Sequence, residues 1–200
     1  MRTDTGGGQA LDSPMHAPSP RMAIAILARP GIRDSLVDRV CAEVDAIWTP
    51  AGITFEWHRV TGGGDPAPRL EVTIDDHDDR PHHGREWLGR IGFDGDRPRR
   101  VIRLSLANAE ALLRRTPSVK DVTPATHETY LGRALGRALS HELGHYCLGS
   151  RVHAPHGLMR AIRPSEEFFG LRRRGFELSA DERAAAARCA PPHNQTAGDS

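Results

Sequence analysis

The sequence predicts an α+β fold built on a mixed, mostly parallel, five-stranded twisted sheet. Five short runs rich in β-forming residues lie within residues 22–106, and one long helical stretch lies beyond the last of them. The first two runs flank an amphipathic helix, all within residues 22–60. A strand–helix–strand unit of this length is a crossover connection, which places its two strands parallel.

The predicted strands differ in how their apolar residues are arranged. The first is a continuous apolar run, as in a strand buried on both faces, whereas the second and third alternate. The fourth and fifth flank the turn signal Asp94-Gly95. The five predicted strands are residues 22–27, 53–60, 70–74, 88–93 and 101–106.

Helical periodicity appears in four places. Apolar residues recur at helical spacing in 34–48, and residues 107–115 form a shorter helix. A long helix begins near Thr126, and its apolar stripe consists of Leu131, Leu135, Ala138 and Leu139. Residues 179–182 match a capping box, which predicts a closing helix through Arg188.

The composition places one globular domain at 22–190. Residues 1–21 are rich in Gly and Pro and 191–200 are polar, so we expect a disordered leader and a disordered tail. A formal net charge of +1 gives no global electrostatic case for nucleic acid or an anionic membrane as a partner. No apolar run is long enough for a membrane span, and no secretory segment is evident. From these residues we expect a cytoplasmic protein.

The chemistry of the chain centres on His141-Glu142-Leu143-Gly144-His145. Two histidines four apart on a helix project from one face, so both imidazoles can meet one cation. Zn²⁺ takes such neutral nitrogen donors and keeps an open position for water. Glu142 points about 100° around the helix, beside the metal, where it can accept a proton. The sequence therefore predicts a zinc site with Glu142 as general base.

Several residues are candidates for a third ligand. Gly149 suits the left-handed residue that ends a helix, after which the chain can return His153 to the metal. His153 is the preferred candidate. His156 lies three residues further on, and a glutamate of a following helix is the other alternative, either Glu166 or Glu167.

Residues 141–159 resemble the metzincin clan of zinc metallopeptidases, as found in small bacterial relatives of the matrixins. That clan has glycine three residues and a third histidine six residues after the second histidine. Here Gly149 lies four and His153 eight residues after His145. The resemblance implies that Met159, in Gly-Leu-Met, belongs to a turn beneath the metal without binding it.

The same resemblance has consequences for the fold and the activity. It implies a backing helix, an active-site helix, an antiparallel edge strand and a small helical C-terminal subdomain after the Met-turn. It implies a zinc metalloendopeptidase whose peptide or protein substrate lies along the edge strand 88–93.

Other interpretations remain open at this point. The scaffold could serve a non-proteolytic zinc-binding or partner-binding protein. The zinc site could also be a closed structural one with Cys147 or His156 as fourth ligand, although the position of Cys147 on the helix argues against it. Residues 75–83 contain four aspartates and three histidines, which we interpret as a solvated acidic loop rather than a second metal site.

Overall fold

The computed structural model describes residues 21–60, 70–76, 87–119 and 122–189. Five strands form one sheet in the order β2-β1-β3-β5-β4. They are β1 (Arg21–Ala28), β2 (Thr54–Arg59), β3 (Leu70–Asp75), β4 (Gly89–Asp94) and β5 (Arg97–Ser105). β1 is parallel to β2 and β3, and β3 is parallel to β5. Only the edge pair β4–β5 is antiparallel, with an irregularity between Ile91 and Phe93.

Within the described ranges, five α-helices accompany the sheet: α1 (Asp34–Trp48), α2 (Leu106–Arg115), α3 (Pro124–Leu148), α4 (Ser165–Phe169) and α5 (Ala180–Ala186). α1 and α3 pack against each other, while α1 contacts β2 and α3 contacts β4 and β5. α3 is the central element, because most of its residues from Leu131 to His145 are buried. A helix buried on most of its circumference is held by tertiary packing rather than by propensity.

The core lies between the sheet and these two helices. Ile24 of β1 and Val72 of β3 are fully buried, and they share one apolar cluster with Val40 of α1 and Leu135 of α3. The C-terminal segment closes the other side of α3 with Phe169 and Phe176, both buried. None of the helices in the described ranges combines the length and the hydropathy that crossing a bilayer requires.

The predicted fold class is confirmed. The sheet is mixed and mostly parallel, the antiparallel strand lies at its edge, and two short helices follow residue 159. α1 has its predicted bounds, and the other boundaries differ by at most four residues: β5 begins at Arg97 rather than at 101, and α3 begins at Pro124 rather than near Thr126. The predicted leader and tail fall outside the described residues, except for Arg21, which begins β1. Most of the acidic loop at 75–83 also lies outside them.

Candidate metal centre

The last two turns of α3 position the two histidines of the motif. α3 ends at Gly149, whose φ of 59° and ψ of 30° are left-handed and therefore suit glycine. The N–H of Gly149 and the N–H of Ser150 close the last turn on helix carbonyls. The chain then reverses and returns His153 to the face of the helix that carries His141 and His145.

The three imidazoles converge on one point through their Nε2 atoms. The Nε2 of His145 lies 3.1 Å from that of His141 and 3.3 Å from that of His153. Two nitrogens bound to one tetrahedral Zn²⁺ at about 2.0–2.1 Å lie about 3.3–3.4 Å apart. The spacing of the donors therefore matches the edge of a zinc tetrahedron.

The other ring nitrogens determine which tautomer is present. The Nδ1 of His141 lies 2.9 Å from the carbonyl oxygen of Leu158, and the Nδ1 of His145 lies 2.7 Å from that of Ser150. A carbonyl can only accept, so each Nδ1 carries the proton and donates it. Both Nε2 atoms then present lone pairs to each other at close range. A cation between them removes this repulsion, which is the fit expected of a metal site.

Burial keeps these rings neutral. It lowers the pKa of His141 to about 4, partly opposed by the hydrogen bond to Leu158. Burial also lowers the pKa of His145. Only a neutral imidazole has a free lone pair for a metal, so both residues are held in the ligand form near neutral pH.

Glu142 lies beside the three histidines and is also tied to the sheet. Its side chain is buried, and its Oε2 accepts a hydrogen bond of 2.9 Å from the backbone N–H of Ile91 in β4. Burial raises the pKa of Glu142 to about 7, whereas the hydrogen bond from Ile91 lowers it. A carboxyl group with a pKa near neutrality is suited to proton transfer.

The turn containing Gly157, Leu158 and Met159 supports the site from below. Met159 is buried, and a Cβ built on Gly144 would lie 2.2 Å from its sulfur, so the thioether fills the space against the metal-binding turn of α3. The N–H of Leu158 donates to the carbonyl of Glu177, and the N–H of Ala154 donates to that of Met159. The turn is thereby fixed to both the C-terminal segment and the loop that carries His153.

The loop with His153 has one further attachment. The guanidinium of Arg151 donates to the carbonyl oxygen of Gly95 and lies 4.7 Å from the centre of the Phe93 ring. Phe93 in turn meets the ring of His145 edge to face. This contact joins the loop to the β4–β5 turn.

The rival ligands lie elsewhere. Among the described residues, His141, His145 and His153 form the cluster of metal-binding side chains. His156 and Glu166 are exposed, and the carboxylate of Glu167 pairs with two arginines. A hydrogen bond with Cys189, together with burial, raises the pKa of the Cys147 thiol, so this residue has a partner away from the histidines. The assignment of the three histidines as ligands stays a prediction.

Two cavities meet at the cluster. One, of about 540 Å³, runs along β4 past Ile91 and Phe93. The other, of about 390 Å³, extends beyond Glu142 between the start of β4 and the segment that follows Met159. Gly89 and His153 line both cavities, so the cleft continues on either side of the histidines.

The fold has counterparts among solved structures. Archaemetzincin from Methanopyrus kandleri superposes with a TM-score of 0.52 at 17% sequence identity, over 84% of this chain and 95% of that one. The chain has a metzincin-like fold. Metalloproteinase-II from Bacteroides fragilis matches with a TM-score of 0.47 at 10% identity, over 88% of this chain and 55% of that one. No family model and no curated protein sequence matches.

Some groups in this metzincin-like fold escape sequence reasoning. The N–H of Ile91 and the carbonyls of Leu158 and Ser150 orient the side chains of the motif, but every residue has such groups. The buried Arg137 and the arginines after Met159 were also missed, because charged residues are ordinarily expected in solvent. The pairing of Glu43 with Arg137 across α1 and α3 is visible only in three dimensions.

Proposed function

We propose that this protein is a zinc-dependent metallopeptidase that hydrolyses peptide bonds within a chain, a metalloendopeptidase. The observation that carries the proposal is the convergence of three Nε2 atoms, two of them in fixed tautomers, beside the buried carboxyl of Glu142. The metzincin-like fold supports it, as does the cleft that the three histidines line together with residues of the edge strand β4.

The donor set suits Zn²⁺. His141, His145 and His153 would hold the ion, Gly149 would allow the reversal between them, and Met159 would support the helix from beneath. Three neutral nitrogens and an open fourth position are typical of catalytic rather than structural zinc. When bound, Zn²⁺ lowers the pKa of water to near 7 and polarises a carbonyl oxygen.

The protein residues then move the proton. Glu142 accepts a proton from the attacking water and delivers it to the nitrogen of the leaving amine. A divalent cation beside the carboxyl favours its charged form, so the carboxylate is the state that meets the substrate. The hydrogen bond from Ile91 leaves the second carboxylate oxygen for this transfer.

The substrate would lie along β4. This strand is the edge of the sheet next to the cluster, and an extended peptide can add to such an edge through backbone hydrogen bonds. The cleft continues on both sides of the histidines, so residues on both sides of the cleaved bond have room. This supports cleavage within a chain rather than at its end.

The decisive experiment replaces Glu142 by glutamine in the zinc-loaded protein. Glutamine keeps the size and can still accept from Ile91, but it cannot take up a proton. We expect unchanged zinc content and thermal stability, and a kcat on a library of internally quenched peptides lower by about 10²–10⁴-fold.

Glu166→Gln is the matched control, because this exposed carboxylate lies outside the cluster. Its turnover should equal that of the unaltered protein. Equal turnover in the Glu142→Gln variant would contradict the proposal. A protein that binds one zinc but cleaves no peptide of the library would instead indicate a zinc-binding or partner-binding role for this scaffold.

A further inference from the structure

The cavity beyond Glu142 has an unusual electrostatic character. Its volume is about 390 Å³, within the range of ligand sites, and its walls combine apolar side chains with polar ones. Three arginines nevertheless line it: Arg137, Arg160 and Arg163. Among the described lining residues Glu142 is the one acidic side chain, and it lies at the end next to the histidines.

Among the described residues, the arginines of this region outnumber the carboxylates that pair with them. Glu167 pairs with both Arg160 and Arg163. Similarly, Glu43 is shared between Arg137 and Arg173. Within each of these two clusters two positive charges face one negative charge, so each retains an excess of one positive charge.

Two of the lining guanidiniums use their remaining donors inside the protein. Arg137 donates to the carbonyls of Glu167 and Gly170, and Arg163 donates to those of Gly157 and Leu158. Both also lie over the ring of Phe176, at 4.9 and 4.0 Å from its centre. These contacts hold the two side chains in place at the cavity wall.

Arg160 is different. Among the described residues its guanidinium donates only through Nη2, to Glu167, and its Nε is buried without a hydrogen-bond partner. The side chain is 29% exposed, so part of the fork still faces the cavity. Its Nη1 donates to none of the described residues, so it can donate to a carboxylate in the cavity, and a hydrogen bond between two charged groups is stronger than one between neutral groups.

We propose that Arg160 makes this cavity selective for a substrate whose residue next to the cleaved bond has a carboxylate side chain, aspartate or glutamate. The inference rests on the proposed peptidase function and adds a substrate class to it. The apolar part of the wall accommodates the methylene groups of that side chain, and the guanidinium of Arg160 pairs with its carboxylate.

The test uses internally quenched peptides that differ at a single residue next to the cleaved bond, with Glu, Gln, Leu or Arg there, placed on either side of the bond in turn. We expect kcat/KM for the Glu peptide to exceed that for the Gln peptide by at least about tenfold at one of the two positions. Arg160→Gln should bring this ratio close to one. Arg160→Lys should keep part of the preference, because it retains the charge without the planar fork.

Arg172→Gln is the control. It removes the same charge from an exposed side chain that does not line the cavity, and it should preserve the ratio. Circular dichroism and zinc content verify that each variant is folded. An Arg160→Gln protein that still prefers Glu over Gln would overturn the inference.

A binding measurement separates this inference from the proposed function. Zinc-loaded Glu142→Gln protein is titrated with fluorescein-labelled versions of the Glu and Gln peptides, with and without Arg160→Gln. Tighter binding of the Glu peptide that depends on Arg160, without cleavage by the unaltered protein, would support the pocket and refute the peptidase. Cleavage without any preference for the Glu peptide would support the peptidase and refute the selective cavity. Equal binding of both peptides without cleavage would refute both the peptidase and the selective cavity.

Discussion

His153 is the one histidine of the cluster that α3 does not carry. Its position depends on the left-handed Gly149 and on the loop that follows. The helix end before Gly149 and the loop after it are each one residue longer than in the clan that the motif resembles. The structure nevertheless brings its Nε2 to 3.3 Å from that of His145. A longer path between the ligands is thus compatible with the same convergence.

His153→Ala should therefore weaken zinc binding strongly. Loss of an outer partner of a ligand already lowers metal affinity by about 10–100-fold, so loss of a ligand should exceed about 100-fold. Competition with a chromophoric chelator measures this. His156→Ala, three residues away and exposed, should leave the affinity unchanged. If His156→Ala weakened zinc binding and His153→Ala did not, His156 would be the third ligand.

Gly144 shows how closely the Met-turn approaches the helix. Because an added Cβ would lie 2.2 Å from the sulfur of the buried Met159, Gly144→Ala should lower the free energy of unfolding by about 1–3 kcal/mol. Urea denaturation measures the change. Gly170→Ala is the control, since its Cβ would make only an ordinary contact of 3.5 Å, and it should stay within about 0.5 kcal/mol.

At the level of elements, β4 links the sheet to the chemistry. The N–H of Ile91 donates to Glu142 rather than to β5, so a proline there would remove the hydrogen bond to the carboxylate without removing a bond of the β4–β5 ladder. We expect Ile91→Pro to lower kcat/KM by about 10–100-fold, corresponding to a hydrogen bond to a charged group of about 1.5–3 kcal/mol.

Ile91→Val is the matched variant, because it keeps the N–H and a β-branched side chain. It should retain nearly full activity. If both variants lose activity equally, the side chain of residue 91 matters and the hydrogen bond does not. Both variants must melt near the temperature of the unaltered protein, so that a loss of activity does not reflect a loss of folding.

The elements themselves were largely predictable. α1 and the apolar stripe of α3 follow the helical period, and the stripe residues are buried as expected. The start of β5 was missed by four residues because Arg97 to Arg100 lie on an exposed hairpin, where no burial imposes an alternation. Asp34 is the first residue of α1 and pairs with Arg59 of β2, a contact that follows from the β1–α1–β2 crossover and not from local sequence.

For the whole molecule, the buried pair of Arg137 and Glu43 joins three parts of the chain. The Arg137 side chain is 0% and that of Glu43 4% exposed, and Nε lies 2.8 Å from Oε1. Burial lowers the pKa of Arg137, and the charge of Glu43 opposes this. The remaining donors of Arg137 bind carbonyls of the C-terminal segment. This arginine therefore connects α1, α3 and the segment after the Met-turn.

Glu43→Leu should destabilise the protein by about 3–5 kcal/mol, because it leaves a buried guanidinium with no carboxylate partner on α1. Adding Arg137→Met should recover part of that loss, since two apolar residues then replace the pair. Urea denaturation of both single variants and the double variant gives the coupling energy. This account would be contradicted if the free energy of unfolding fell in the double variant by as much as the sum of the two single losses, or by more.

Sequence reasoning could not have found this pair. Arg137 lies among small and apolar residues of α3, and Glu43 lies 94 positions earlier. The spacing of His141, Glu142 and His145 is local and could therefore be recognised in the sequence, and the fold class could be predicted as well. The cavity arginines and the hydrogen bond from Ile91 depend on chain segments that meet only after folding.

The contacts of Arg151 with Gly95 and Phe93 join the loop that carries His153 to the hairpin of the edge strand. If a peptide added to β4 holds that hairpin in one position, it also restrains the loop that carries His153. In the same way, an ion bound to His153 would restrain the hairpin. Such heterotropic cooperativity is reciprocal: whatever factor a peptide adds to the retention of zinc, zinc must add to the retention of the peptide.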